Sequence, residues 1–146
     1  MQRRAFIKTL LAATTLVLVP LRALAGLWNA PAFQATKLQE ALAGMQIHQL
    51  TASSDIQVLA PDKAENGAVV QIEVTSRIPN TESIAIFVEH NPTPLIANFV
   101  FSGSADSFVI TRIKMAETSD VLAVIKVGNQ YFSAQKRVEV LENGCG

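Results

Sequence analysis

The residue of this sequence best suited to chemistry is its single cysteine, Cys145. An unpaired cysteine in an exported protein either links the chain to another molecule or presents a reactive thiol. From Val140 to Cys145 an extended chain spans at most roughly 16–18 Å. The residues around the cysteine accept backbone angles that most others avoid: Asn143, Gly144 and Gly146. We therefore predict a flexible arm over residues 142–146 that carries a thiol into another protein; the alternative is a frayed chain end without a role.

The neighbours of Cys145 do not favour an activated thiolate. A reactive thiolate needs an adjacent base, a cation or a helix N-terminus to lower a pKa of about 8.5. Glu142 and the carboxylate of Gly146 are negative and oppose ionisation. Lys136 and Arg137 lie further back in a predicted strand. We interpret Cys145 as a covalent attachment point, predict no catalytic residues, and do not expect an enzyme.

Metal ligands are sparse. The two histidines, His48 and His90, have no Cys or His at ligand spacing. A blue-copper centre needs ligands on both sides of its cysteine, and here only Gly146 follows Cys145. His90 opens a turn that contains two prolines, which favours a surface position. We therefore expect no metal and no cofactor.

The first 25 residues have the layout of an export signal. Basic residues come first, residues 10–19 are mainly apolar, and Ala23-Leu24-Ala25 is a small-x-small cleavage site, so the mature chain is expected to begin at Gly26. Residues 2–8 also resemble the bacterial twin-arginine motif Ser-Arg-Arg-x-Phe-Leu-Lys, with departures at Gln2 and Ile7. A Sec signal is the alternative. Both routes lead to the periplasm, and no later segment is apolar for long enough to anchor the chain in a membrane.

The formal charge of the mature chain excludes some classes of binding partner. The full sequence has 12 basic and 12 acidic residues. Removing residues 1–25 takes away four basic residues and no acidic one, which leaves 121 residues with a formal charge of −4. A mildly acidic domain lacks the positive surface that binds nucleic acid or anionic lipid. This length suits one compact domain, and a single cysteine cannot cross-link its core.

The mature chain is predicted to begin with one helix. Asn29 or Ala30 is the expected cap, with Pro31 in the first turn. The apolar residues of one helical face follow at compatible intervals, and Gly44 is expected to end the helix: Phe33, Leu38, Leu42 and Met45. Trp28 and Phe33 are interpreted as packing residues.

The remainder of the chain is predicted to be β. Residues 61–67 form a polar loop, and Gly128-Asn129-Gln130 separates two long strands in a pattern typical of a tight hairpin. Short apolar or alternating segments indicate seven strands: 56–59, 68–75, 83–89, 95–101, 108–115, 121–127 and 131–141. This pattern favours an all-β sandwich of immunoglobulin-like architecture, with a small barrel as the alternative. The predicted organisation is a signal over 1–25, a sandwich domain over 26–141 and an arm over 142–146.

Three internal stretches and the tail together resemble the SoxY family, the sulfur-carrying subunits of bacterial thiosulfate oxidation. They are Ala60-Pro61 with Glu65-Asn66-Gly67-Ala68, then Asn91-Pro92-Thr93-Pro94-Leu95, then Thr111-Arg112-Ile113-Lys114-Met115, and finally Gly144-Cys145-Gly146. The family's tail reads Gly-Gly-Cys-Gly-Gly. This sequence has Asn143 in place of the first glycine and lacks the last one.

The resemblance implies a specific role. SoxY-type chains have an immunoglobulin-like sandwich and form a heterodimer with SoxZ, a small β-protein without its own export signal. Cys145 would carry the substrate: a c-type cytochrome attaches thiosulfate, a hydrolase releases sulfate, and a dehydrogenase oxidises the remaining sulfane. Two other readings remain open, a sandwich module joined to its partner by an intermolecular disulfide and a thiol-dependent redox enzyme, although the latter lacks a second cysteine.

Overall fold

The computed structural model describes residues 29–103 and 105–142. The predicted signal and its cleavage site lie outside them. Two short helices are present, α1 (Ala30–Gln34) and α2 (Leu38–Gly44). Nine strands follow: β1 (Thr51–Ala52), β2 (Ile56–Leu59), β3 (Lys63–Asn66), β4 (Val70–Ser76), β5 (Ser83–Val88), β6 (Leu95–Val100), β7 (Phe108–Ile113), β8 (Ser119–Val127) and β9 (Gln130–Glu142). Within these residues no helix has the length and apolar character needed to span a bilayer.

The strands form two sheets packed face to face. One sheet has the order β1-β9-β8-β5-β6, with β3 also pairing with β9, and the other has the order β2-β4-β7. All seven predicted strands are present, and each end lies within two residues of its predicted position. The all-β, immunoglobulin-like sandwich is confirmed. The barrel alternative is wrong for the described strands, because each sheet has open ends.

The prediction of a polar loop over 61–67 is wrong, since it contains β3. Only Ala64 of this strand is buried, so its sequence lacks the apolar alternation that indicates a strand. β3 exists because it pairs in parallel with the end of β9. Strand β1 was also missed; it has two exposed residues and likewise pairs with β9.

The single predicted helix is in fact two, divided at Ala35, whose backbone is extended. The cap at Asn29 is confirmed, since its Oδ1 accepts a hydrogen bond from Ala32 N at 3.2 Å. Asn29 Nδ2 also donates to Gly44 O at 2.8 Å. One continuous helix would hold these two residues about 22 Å apart, so the chain must reverse between them. Gly44 permits the reversal because a Cβ there would lie 2.9 Å from Ala32 Cα.

The core has two layers, one on each side of the large sheet. Ile84, Ile86 and Val88 of β5 belong to the cluster between the two sheets. Ala85 and Phe87 belong to a second cluster beneath the helices. Every residue of β5 is therefore buried, which explains why its sequence alternates only in part.

The β8–β9 hairpin is confirmed. Val127 pairs with Gln130, which leaves a two-residue loop. Gly128 in this loop has φ of 57°, a left-handed angle that glycine adopts without strain. Glu82 Oε1 accepts a hydrogen bond from Gly128 N at 2.9 Å.

Candidate functional site at the base of the arm

The predicted attachment point Cys145 lies outside the described residues, as do the other predicted site residues: Ala25, Gly26, Asn143, Gly144 and Gly146. The structure does describe the chain up to Glu142, the last residue of β9. Residues 136–142 and the groups that hold them are called the arm base below. Strand β9 ends one residue later than predicted, inside the range assigned to the arm.

One edge of the arm base is held by β3 and its flanking residues. The two strands run parallel, with Ala64 beside Val140 and Asn66 beside Glu142. Glu139 N donates to Asp62 O at 2.9 Å, and Gly67 N donates to Glu142 O at 2.9 Å. The backbone of β9 is therefore fixed on this edge up to its last described residue.

Ion pairs join the same two segments. Lys136 Nζ binds the carboxylate of Asp62, and Lys63 Nζ lies 3.2 Å from Glu139 Oε2. The hydrogen bond from Lys136 and then its positive charge hold the pKa of Asp62 below its ordinary value. Both pairs are solvent-exposed, so each contributes little to stability.

Beyond Val138, the opposite edge of the arm base is held by a side chain. Strand β8 begins at Ser119, opposite Val138, so β9 extends beyond its neighbour. Thr118 Oγ1 then accepts a hydrogen bond from Val140 N at 2.9 Å. This hydroxyl takes the place of the missing strand partner, and Val138 and Val140 stay buried beneath it.

The backbone of Gly67 links the arm base to β7. Besides donating to Glu142, this residue accepts a hydrogen bond through its carbonyl from Met115 N at 2.8 Å. Asn91 continues the chain of contacts, since its Nδ2 donates to Lys114 O at 2.7 Å and its Oδ1 accepts from Ala116 N at 2.8 Å. The three internal stretches singled out in the sequence therefore lie side by side, next to the strand that leads to Cys145: 60–68, 91–95 and 111–115.

Asn91 is a structural residue that the sequence analysis missed. The sequence places it in a turn and in one of the three internal stretches, but gives no indication that it is buried or that both ends of its amide bond the backbone after β7. The only signal available in the sequence was its position before Pro92, which indicates a turn and says nothing about a distant strand.

The two basic side chains of β9 lie beside carboxylates of other segments. Lys136 pairs with Asp62, and Arg137 lies 3.7 Å from Asp120. The side chain nearest the tail, Glu142, is acidic and exposed. Within the described residues, both cations of the arm base therefore lie beside carboxylates of neighbouring segments.

The two histidines do not come together with other ligands. His90 Nδ1 lies 2.9 Å from Thr118 O and 3.5 Å from Glu117 Oε1, and His48 is exposed near the helices. In the part of the chain that the structure describes, no group of three or more His, Cys, Asp or Glu side chains is placed to hold a metal.

Comparison with known proteins agrees with this architecture. The family model for the sulfur oxidation protein SoxY matches residues 40–145. Among solved structures, the chain is similar to the sulfur carrier protein SoxY from Chlorobium limicola f thiosulfatophilum, at 34% identity and a TM-score of 0.66. The match covers 77% of this chain and 99% of that one.

Other similarities are more distant. A lytic polysaccharide monooxygenase from Jonesia denitrificans is 19% identical with a TM-score of 0.40, covering 53% of this chain and 56% of that one. The PKD domain of an M14-like peptidase from Thermoplasmatales archaeon SCGC AB-540-F20 is 18% identical with a TM-score of 0.40, covering 58% and 91%. The search of curated proteins found no match.

The family match spans well over half of the sequence and reaches Cys145, so the chain belongs to the SoxY family.

Proposed function

We propose that this protein is a periplasmic sulfur carrier that holds thiosulfate-derived intermediates covalently on Cys145. The observation that carries the proposal is the family match, which extends over residues 40–145 and so includes the cysteine. The related protein from Chlorobium is itself described as a sulfur carrier. In this proposal the chain is a substrate for other enzymes and performs none of the steps.

The proposed chemistry needs only a thiol from this chain. The Cys145 thiolate and thiosulfate form a sulfur–sulfur bond, and two electrons pass to a c-type cytochrome. Water then hydrolyses the terminal sulfonate, which releases sulfate and two protons and leaves a persulfide on Cys145. A sulfane dehydrogenase oxidises that remaining sulfur.

The arm base supports this role through its geometry. Glu142 is fixed by Gly67, and three residues further along comes Cys145. An extended chain of three residues spans at most roughly 10–11 Å. A partner enzyme must therefore approach the arm base closely to receive the sulfur. Tethering in this way gives each enzyme a high effective concentration of the bound intermediate.

Export and pairing follow from the same proposal. The twin-arginine route moves folded cargo, so a SoxZ-like subunit without a signal would leave the cytoplasm already bound to this chain. That arrangement explains why a protein with no expected cofactor would use this route. The pair would then work in the periplasm with the cytochrome, the hydrolase and the dehydrogenase.

Turnover with the cognate enzymes tests the proposal. Cys145→Ser is expected to abolish sulfate production from thiosulfate, while its circular dichroism and its binding to the SoxZ-like subunit stay as in the unaltered protein. Ser53→Ala serves as a control, since Ser53 lies away from the arm base. Full turnover by Cys145→Ser would contradict the carrier role. A stable disulfide to the partner, unchanged during turnover, would favour the interaction module.

A further inference from the structure

Asn66 and Gly67 form an asparagine–glycine pair at the end of β3, and no step of the proposed function uses its chemistry. In such a pair the main-chain nitrogen of glycine attacks the side-chain amide carbon of asparagine, because glycine has no Cβ to obstruct the approach. A bond forms between Gly67 N and Asn66 Cγ, and the bond between Cγ and Nδ2 breaks. Nδ2 leaves as ammonia and takes the proton of the glycine nitrogen with it. The product is a cyclic succinimide.

Water then opens the succinimide ring at one of its carbonyl carbons. Attack at Cγ gives aspartate at position 66 and restores the main chain. Attack at the main-chain carbonyl carbon gives isoaspartate, in which the chain runs through the former side chain and is longer by one methylene group. Both products replace a neutral amide by a carboxylate, and water is the only co-reactant.

The side chain of Asn66 is folded over the main chain that attacks it. Its Oδ1 accepts a hydrogen bond from Ala68 N at 2.7 Å, so the amide reaches across Gly67. This bond draws electron density from Cγ, the atom at which the ring closes. Asn66 is exposed, so water has access to its amide.

The main chain of Gly67 is restrained by the arm base. Gly67 N donates to Glu142 O at 2.9 Å, and Gly67 O accepts from Met115 N at 2.8 Å. The nitrogen must give up its bond to Glu142 and turn toward Asn66 Cγ before the ring can close. Ring closure therefore requires local opening of the pairing between β3 and β9, and its rate depends on how often this end of β9 is released.

The carboxylate that forms lies beside another carboxylate. Asn66 is the register partner of Glu142, and both residues are exposed. Within the described residues no ion pair offsets the charge of Glu142. Like charges on directly paired residues destabilise a pair of strands. Isoaspartate also lengthens the main chain before Gly67, so the nitrogen of Gly67 no longer aligns with Glu142 O.

We propose that Asn66-Gly67 is a deamidation site that the pairing of β3 with β9 keeps slow, and that its conversion to aspartate or isoaspartate releases the arm base. The change proceeds in one direction, because opening permits the reaction and each reacted molecule opens more often. The inference does not depend on the carrier role, since neither the reaction nor its consequence involves Cys145.

Peptide mapping by mass spectrometry tests the protection of Asn66. In the reduced mature chain at mildly alkaline pH, Asn66 should convert at least about tenfold more slowly than in guanidinium chloride. Thr118→Val removes the acceptor of the Val140 N hydrogen bond and should speed conversion in the folded chain by about two- to tenfold. Thr93→Val, at an exposed turn, is the control and should leave the rate unchanged. Equal rates in the folded and unfolded chain, or no acceleration in Thr118→Val, would overturn the proposal.

Asn66→Asp tests the consequence of the reaction. This variant adds the charge of the product and keeps an acceptor oxygen for the turn. Amide hydrogen exchange at Gly67 should be about two- to fivefold faster than in the unaltered protein, while exchange at Phe87 is little changed. Asn98→Asp adds the same charge at an exposed site of β6 and should leave exchange at Gly67 unchanged. Unaltered exchange at Gly67 in Asn66→Asp would show that deamidation leaves the arm base closed, contrary to the proposal.

Discussion

The central strand β5 and the arm base are stabilised in different ways. All six residues of β5 are buried, and its side chains fill both layers of the core. The arm base buries only alternate side chains, and its backbone is held by hydrogen bonds to the backbone of Asp62 and Gly67 and to the hydroxyl of Thr118. Apolar burial thus determines that the sandwich folds, whereas polar contacts determine where the last strand points. Substitutions in the two regions should therefore separate the stability of the sandwich from the position of the arm base.

The largest effect is expected in the core. Phe87→Ala removes a fully buried ring beneath the helices and should lower the free energy of unfolding by about 3–5 kcal/mol. Urea denaturation measures this loss. Val100→Ala is the control, because Val100 is 75% exposed and its truncation should cost less than about 0.5 kcal/mol. Equal losses would remove the distinction between core and surface on which the comparison rests.

A smaller loss is expected at Asn91, where the two regions are linked. Asn91→Ala leaves Lys114 O and Ala116 N without their partner, so stability should fall by about 1–3 kcal/mol. Hydrogen exchange should also accelerate at Met115 and Gly67, beside the arm base. Asn98→Ala, at an exposed site in β6, is the matched control. Unchanged exchange at Met115 and Gly67 would mean that Asn91 does not support the arm base.

The arm base itself should respond more weakly. Thr118→Val keeps the shape of the side chain and removes the acceptor of the Val140 N hydrogen bond, with an expected loss of about 0.5–1.5 kcal/mol. The diagnostic result is faster amide exchange at Val140 while that of Phe87 is little changed. Thr93→Val, at an exposed turn, controls for the loss of a hydroxyl. If Phe87 exchanged as fast as Val140, the arm base would not be separable from the core.

The smallest effect is expected from the exposed ion pair between Asp62 and Lys136. The pKa of Asp62 is lowered below the usual 3.8 by this pair. Its contribution to stability is therefore present above about pH 4 and is lost as pH falls through the lowered pKa. Lys136→Met should make the acid-induced loss of stability slightly smaller, as denaturation at pH 7 and pH 3 would show. Lys37→Met, which removes another exposed ion pair, is the control. If Lys136→Met lost more stability between pH 7 and pH 3 than the unaltered protein, the result would contradict this prediction.

Sequence patterns predicted the parts of the fold that depend on local order. The alternation over β7, the apolar run of β5 and the Gly128-Asn129 turn each depend on neighbouring residues, so they could be recognised directly. Strand β3 and the division of the helix at Ala35 could not, because both arise from contacts with distant segments. The polar residues of β3 become a strand only when β9 lies beside them.

The candidate site also has one part that the sequence predicts and another part that depends on contacts between distant segments. Cys145 is predicted as the attachment point from its position and neighbours alone, and it lies outside the described residues. The hydrogen bonds of Gly67 and Asn91 were not foreseen, because they connect residues more than twenty positions apart. The three stretches that carried the family resemblance are now seen to share one place in the structure, beside the strand that leads to the cysteine.

The intact mass of the periplasmic protein tests the central claim most directly. Cells grown on reduced sulfur should yield a chain that begins at Gly26 and carries sulfur or thiosulfonate additions. These additions should disappear after reduction and be absent from Cys145→Ser. A chain with only a bare thiol under the same conditions, or one stable disulfide-linked mass, would contradict the account of Cys145 as the attachment point of a sulfur carrier.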